Sequence, residues 1–179
     1  MEPLASLFRL DPDRLQALLI DKELGAHPWL RECGPAVIRE LAEAMVQRLP
    51  EALNTPLEAV VAAAFRDSLP PQALPAADPA DGAADLRTPL PPQRLQSRHR
   101  PVLQLLVVDR PLLEVGFEVS LEITLEGVVL HSRRGQPRAV AIERAQGSGL
   151  LLHERQVVAR FSEEPLPLPP LLPLEGEAL

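Results

Sequence analysis

The chain has 179 residues, of which 46% are hydrophobic and only 3% aromatic, and it carries a formal net charge of −7. This length suits one domain, or one domain with a small second part, and aliphatic side chains must fill the core. The acidic balance and the scarcity of aromatic rings exclude the basic, stacking surface of a nucleic-acid binder, and they disfavour an anionic membrane surface as a partner.

Cysteine usage and the first residues indicate a reducing compartment. Cys33 is the only cysteine, so neither an intrachain disulfide nor a cysteine-based zinc cluster can form. The opening MEPLASLFRLDPD lacks the basic and long apolar regions of a signal peptide. No apolar run approaches the ~18 residues of a transmembrane segment. We therefore expect a cytoplasmic, bacterial protein without a cofactor.

Residues 1–69 predict three amphipathic helices. The first begins at Asp11-Pro12, an N-cap followed by proline in the first turn, and Gly25 suits its end. The second begins at Gly34-Pro35 and is expected to end at Pro50. The third follows the capping box TPLE at 55–58. Helices of ~12 residues are marginal alone, so each apolar face needs a partner.

Residues 70–101 predict a linker. They hold eight of the 21 prolines and show no apolar period. Such a segment cannot bury enough surface to offset chain entropy, so we expect a semi-stiff spacer with polyproline II stretches. The PLPP run at 89–92 also fits a peptide-recognition motif, but a spacer is the simpler interpretation.

Residues 114–126, EVGFEVSLEITLE, predict a long strand. Apolar residues fall on every second position from Val115 to Leu125, which places them on one face of a strand but all around a helix. Glutamates fall on every fourth position, on the wetter face. Gly127 is expected to mark a bulge.

The flanking segments complete a four-stranded antiparallel meander at 102–162. The expected strands are 102–108, 114–130, 138–143 and 150–161, with turns at 109–111, 132–137 and Gly147-Ser148-Gly149. With the helical segment this gives an α+β fold. The last residues, 163–179, are proline-rich, leucine-rich and acidic, and they either dock on the sheet or helices or stay loose.

Two charged surface clusters are candidates for partner binding. Glu118 and Glu122 lie in the carboxylate stripe, which is either a solvated face or a docking face for a basic partner; a straight stripe does not converge on a metal ion. Arg133 and Arg134 lie in a turn with Arg138 close by. They are either solvated or a contact for an anion or acidic partner.

The strand predicted at 150–161 places His153 and Arg155 in phase with inward apolar residues. Such charges either protect an edge strand from pairing with other chains or contact a ligand. His131 and His153 approach each other if their strands pair, but the sequence shows no third metal ligand beside them.

The sequence shows no constellation for catalysis. Ser148 lacks the spacing of a nucleophile elbow, and no glycine-rich phosphate loop occurs. We therefore expect a non-enzymatic protein-interaction module: an adaptor, an assembly factor or a chaperone-like protein. Its partner, another protein or a second copy, would bind through a sheet edge or the proline-rich segments. The alternative is a carrier that holds an apolar or lipid-like ligand between sheet and helices.

Overall fold

The computed structural model of the chain describes residues 2–23, 27–68, 87–107 and 109–174. Helices occupy the first part and an antiparallel sheet the second, so the predicted α+β class is confirmed. Gly25, residues 70–86 of the predicted linker and residues 175–179 of the tail lie outside the described residues.

The helical layer contains the three predicted helices and additional short turns. A 3-10 helix at Leu4–Leu7 comes first. Helix α1, Pro12–Leu18, continues into a π-helical turn at Leu19–Glu23. Helix α2 is Trp29–Cys33, α3 is Pro35–Ala52 and α4 is Leu57–Ser68. The expected cap is present, since the Asp11 side chain accepts a hydrogen bond from the backbone N–H of Asp13.

Pro50 does not end the second predicted helix, because α3 continues to Ala52 with Pro50 inside it. A proline removes one backbone donor and clashes one turn upstream. Because Pro50 lies in the last turn, it perturbs the helix little. The helix still ends with a hydrogen bond from Leu53 N–H to the Leu49 carbonyl at 3.0 Å.

The main sheet has the order β1-β4-β5-β6, and β7 pairs with β5. Its strands are β1 (Arg87–His99), β4 (Glu118–His131), β5 (Pro137–His153), β6 (Gln156–Pro165) and β7 (Leu172–Pro173). Strands β2 (Val102–Leu105) and β3 (Leu113–Gly116) form a separate two-stranded hairpin. All pairings are antiparallel.

The alternation predicted for 114–126 is confirmed, but the strand breaks at Phe117 into β3 and β4. Phe117 N–H donates to the Pro101 carbonyl at 2.9 Å, outside either ladder. Within β4, Val119, Leu121, Ile123 and Leu125 are buried and the glutamates lie on the opposite face. The predicted bulge at Gly127 is present as a register shift against β5.

The turn predicted at Gly147-Ser148-Gly149 is wrong, because these residues lie within β5. A Cβ on Gly149 would meet the Phe161 ring at 2.5 Å, so glycine here permits close packing rather than a turn. The chain reverses instead at Glu154 and Arg155, whose φ angles are 47° and 70°. Positive φ at both positions fits a tight hairpin, but Glu-Arg lacks the Asn-Gly signature that would have revealed it.

The assignment of 87–99 to a linker is also wrong, because these residues form β1 and pair with β4 from Arg87↔Leu130 to His99↔Val119. The register shifts between Leu90 and Gln93, which places Pro91 and Pro92 in an irregularity. Prolines are tolerated in edge strands and at bulges, and β1 is an edge strand of the path.

The tail docks over its described part. Leu166 and Leu172 are buried, and β7 pairs Leu172 with Val140 of β5. Leu174 N–H donates to the Arg138 carbonyl at 3.0 Å. Prolines and leucines therefore hold the tail along the sheet as far as Leu174.

The docked tail gives a first testable prediction. We expect Leu172→Ala to lower the free energy of unfolding by about 2 kcal/mol, because the substitution leaves a cavity beside the sheet. The exposed neighbour Leu171 is the matched control, and Leu171→Ala should change stability by less than about 0.5 kcal/mol. Urea unfolding measures both values. Equal effects of the two substitutions would show that the tail does not dock in solution.

The helices and the sheet share one core. Buried side chains from both layers form one contiguous cluster, which includes Met45 of α3, Val61 of α4 and Ile123 of β4. Helix α4 packs against β1, and α3 packs against β2. The sheet therefore buries one face beneath the helices and leaves the other face, with the glutamates, to solvent.

Candidate functional site

Two charged side chains lie buried where the helical layer meets the sheet. Glu23 ends the π-helical turn, four residues after the buried Leu19, and its exposed fraction is 5%. His153 ends β5 in phase with the buried Leu151, and its exposed fraction is 3%. Helical spacing and strand alternation thus aim both groups into the same interface.

The His153 ring is held on both sides. Its Nδ1 lies 2.7 Å from the Gly116 carbonyl oxygen, and because a carbonyl only accepts, Nδ1–H is the donor. Its Nε2 lies 3.0 Å from Glu23 Oε1. Nε2 is nevertheless buried without a hydrogen bond of regular geometry to any described residue. The Phe117 ring, 5.5 Å away between centroids, packs beside the imidazole.

The surroundings favour a positive charge on this ring. The Glu23 carboxylate raises the pKa of His153, and this influence exceeds the opposing effect of burial. The Gly116 carbonyl and the charge of Glu154 act in the same direction as Glu23. The interface is thus built to hold one positive charge against two carboxylates.

Two further groups border the pair. His27, four residues further along the chain, has its Nε2 3.5 Å from Glu23 Oε2. Glu154 follows His153 in the exposed turn to β6. Glu23, His153 and Glu154 each contribute one ligand-type atom to a group in which all atoms lie within 4.8 Å of one another. We call Glu23, His153 and Glu154 the interface cluster.

Of the residues that sequence reasoning selected, only His153 belongs to the interface cluster. Arg155 does not point inward: it is exposed in the turn after His153, because the chain reverses there. His131 and His153 do not approach each other. His131 pairs with Pro137 at one end of β5, and His153 lies at the other end, a strand length on the order of 50 Å away.

The other selected residues lie on the surface. Arg133 and Arg134 are exposed in the turn between β4 and β5, and Arg138 is exposed in β5. Glu118 is half-buried. Glu122 is exposed and its Oε1 lies 3.2 Å from Arg94 Nε of β1. Glu122 borders a groove of about 330 Å³ across the sheet, whose polar lining includes Gln96, Ser120, Ser148 and Arg160. The structure does not bring the arginine turn and the glutamate stripe into one site.

Sequence reasoning missed Glu23. The available signal was an acidic residue four positions after Leu19, on the side of the helix that continues the apolar face. A carboxylate there needs a buried partner. Together with the inward phase of His153, this would have suggested the pair, although nothing in the sequence connects residues 130 positions apart.

The hairpin formed by β2 and β3 exposes apolar side chains. Val102 is 54% exposed, Leu106 is 82% exposed and Leu112 is 41% exposed. The register ends with the pair Leu105 and Leu113, which Leu106 and Leu112 directly flank in the chain. Val102 lies on the face of β2 opposite to the buried Leu103 and Leu105, and Leu106 and Leu112 lie just beyond the paired residues. We call Val102, Leu106 and Leu112 the hairpin patch.

Comparison of the chain with protein-family models, with curated proteins and with solved structures finds no match. Among the helices that the structure describes, none is long and apolar enough to cross a membrane.

Proposed function

We propose that the protein is a non-enzymatic interaction module, of the adaptor, assembly-factor or chaperone-like kind, which binds a partner protein through the hairpin patch. The observation that carries the proposal is the exposure of Leu106, at 82%, on a hairpin that also exposes Val102 and Leu112. A single exposed leucine is ordinary, whereas several exposed apolar side chains on one short hairpin favour a binding role.

The energetics of the hairpin patch suit docking. Full burial of one leucine or valine side chain contributes about 1.5–3 kcal/mol. Short strands in a two-stranded hairpin also hold their side chains in a fixed order, so less side-chain entropy is lost on binding than from a loose loop. The buried face of the same hairpin anchors it, since Leu105 and Leu113 belong to the shared core.

The sheet edges are poorer candidates for partner binding by strand addition than the hairpin patch is for partner docking. Edge strand β1 carries Pro89, Pro91 and Pro92. Edge strand β6 ends in Pro165, and Glu163 there has a φ of 49°. Prolines and irregular backbone are the features by which edges resist pairing with other chains. The proposal therefore places the partner on the hairpin patch rather than on a sheet edge.

Charge indicates the kind of partner. Glu114 lies on the same outward face as Val102, opposite Gln104, and Asp109 is exposed in the connecting loop beside Arg110, whose charge Glu32 pairs. The chain as a whole has a net charge of −7. An amphipathic segment with apolar and basic residues complements this surface, whereas a second copy would bring like charges together. We also propose that the protein is located in the cytoplasm.

The interior gives less support to the alternative of an apolar-ligand carrier. The cavity between the sheet and α4, lined by Val60, Val61, Leu121 and Ile123 among others, has a volume of about 10 Å³. Small-molecule sites typically enclose about 300 Å³ or more. Among the described residues, the space between sheet and helices therefore supports the interaction module more than the carrier.

Site-specific photocrosslinking tests the proposal. A photoreactive residue at position 106, in full-length protein expressed in its native host, should give one discrete adduct. The same residue at the exposed Leu168 of the tail should not. Leu112→Asp should abolish the adduct at 106 and leave the far-ultraviolet circular dichroism spectrum unchanged. Three results would overturn the proposal: no adduct at 106, an equal adduct from 168, or an adduct of twice the 19.6 kDa chain mass, which would mean self-association.

A further inference from the structure

We propose that the interface cluster of Glu23, His153 and Glu154 binds one divalent transition-metal ion, best fitted by Zn²⁺, and that the ion fastens the helical layer to the sheet. This inference is independent of the hairpin patch. It rests on the orientation of one buried imidazole, on the charges around it and on the elements from which the ligands come.

The first observation is the buried Nε2 of His153. Nδ1–H donates to the Gly116 carbonyl at 2.7 Å, which leaves the Nε2 lone pair of a neutral ring directed into the cluster. Nε2 has no regular hydrogen bond among the described residues, yet its residue is only 3% exposed. Metal-binding histidines characteristically donate their other ring N–H to a carbonyl or carboxylate, which fixes the ring and raises the basicity of the free nitrogen.

The second observation is the charge. A neutral His153 between Glu23 and Glu154 leaves two carboxylates around a buried lone pair, an arrangement that requires a positive charge in the middle. A proton supplies one charge, and a divalent cation balances both carboxylates. One imidazole with two carboxylates suits Zn²⁺, whereas Mg²⁺ and Ca²⁺ prefer oxygen ligands throughout.

The distances allow an ion to enter with small movements. Ligand atoms around tetrahedral zinc lie about 3.3–3.6 Å apart for bonds of 2.0–2.2 Å. His153 Nε2 and Glu23 Oε1 are 3.0 Å apart, and the three ligand atoms all lie within 4.8 Å of one another. Glu154 is exposed in the turn between β5 and β6, so no core packing holds its side chain in place. His27, at 3.5 Å from the second Glu23 oxygen, positions that carboxylate.

The ligands come from two distant parts of the chain, so an ion bound to them would link the helical layer to the sheet. Glu23 ends the turn after α1, while His153 and Glu154 belong to the β5–β6 hairpin, 130 residues later in the chain. An ion bound to all three closes a long loop and stabilises the folded state in proportion to the logarithm of its concentration. It would add a metal link to an interface that the shared apolar core and the Glu23–His153 pair already hold.

Metal titration of the full chain tests the inference. Protein stripped with EDTA and then dialysed should take up one Zn²⁺ per chain by calorimetry, and its unfolding midpoint should rise with Zn²⁺ but not with Mg²⁺. Glu154→Gln removes an exposed ligand without disturbing the core, and it should weaken Zn²⁺ affinity by more than about tenfold with the metal-free midpoint unchanged. Glu163→Gln is the matched control, since Glu163 is also exposed and also has positive φ.

Co²⁺ provides a second readout, because its visible absorption reports the coordination geometry. A tetrahedral Co²⁺ spectrum in the wild type that is lost in His153→Gln supports the site. If His153→Gln does not fold, the spectrum of Glu154→Gln is the test. The inference is overturned by a wild type that takes up no Zn²⁺ at 100-fold excess. It is equally overturned if Glu154→Gln and Glu163→Gln both bind Zn²⁺ with the wild-type affinity, because the ion would then bind elsewhere.

Discussion

Gly127→Ala is expected to lower the free energy of unfolding by about 3 kcal/mol. A Cβ at this position would lie 2.2 Å from the Ala141 carbonyl oxygen and 3.0 Å from the Ile142 Cα. Both atoms belong to the backbone of β5, which pairs with β4 through a register shift at this point. No side-chain rotation relieves such contacts, so the two central strands would have to separate locally and lose ladder hydrogen bonds.

Gly116→Ala is the matched control, because a Cβ there meets nothing within 4 Å. We expect a change of less than about 0.5 kcal/mol. Urea unfolding followed by circular dichroism measures both variants, and the denaturant slope should be the same in each. If the two glycine substitutions cost the same, the close approach of β4 and β5 at the bulge is contradicted.

His153→Leu, measured in EDTA so that no metal contributes, is expected to destabilise the fold by about 3 kcal/mol. Removal of the His153 imidazole leaves the Glu23 carboxylate, 5% exposed, between the helical layer and the sheet, with the partly exposed His27 3.5 Å away as its remaining cationic partner among the described residues. Glu23→Leu should cost less, about 1–2 kcal/mol, because an imidazole near neutral pH loses its proton more easily than a carboxylate gains one.

The double variant separates a specific pair from two independent packing effects. With both side chains apolar, no unpaired charge remains in the interface, so we expect the loss to be smaller than the sum of the single losses by about 1–2 kcal/mol. Glu122→Gln breaks the ion pair with Arg94 on the open face of the sheet and should cost less than about 0.5 kcal/mol. Strict additivity of Glu23→Leu and His153→Leu would contradict a buried pair.

The sequence predicted those elements whose signals are local. Helix starts were recognisable because Asp11, Pro12 and the Gly34-Pro35 step act within one turn. The alternation in β4 was recognisable because one face is buried and the other is wet. In both cases the local pattern and the tertiary environment favour the same structure.

The sequence failed where tertiary contacts override the local signal. The prolines of β1 predict a linker, and only pairing with β4 reveals an edge strand. Gly149 predicts a turn, but it serves the close approach of Phe161 from the neighbouring strand. A glycine indicates that a Cβ atom does not fit at that position. The sequence does not show whether a turn or a neighbouring side chain is the reason.

The interface cluster could be predicted only in part. Strand alternation placed His153 inward, but the same alternation placed Arg155 inward as well, because it cannot anticipate a reversal between them. Glu23 lies in the helical segment, and its contact with His153 depends on how the helices lie on the sheet. Long-range contacts of this kind leave no periodic signal.

Native-state hydrogen exchange tests most directly whether helices and sheet form one cooperative core. Met45 of α3, Val61 of α4 and Ile123 of β4 all belong to one buried cluster, so their amides should exchange with the same free energy, equal to that of global unfolding. The shared core would be contradicted if amides of α3 and α4 exchanged through a separate opening of lower free energy while the amides of β4 stayed protected.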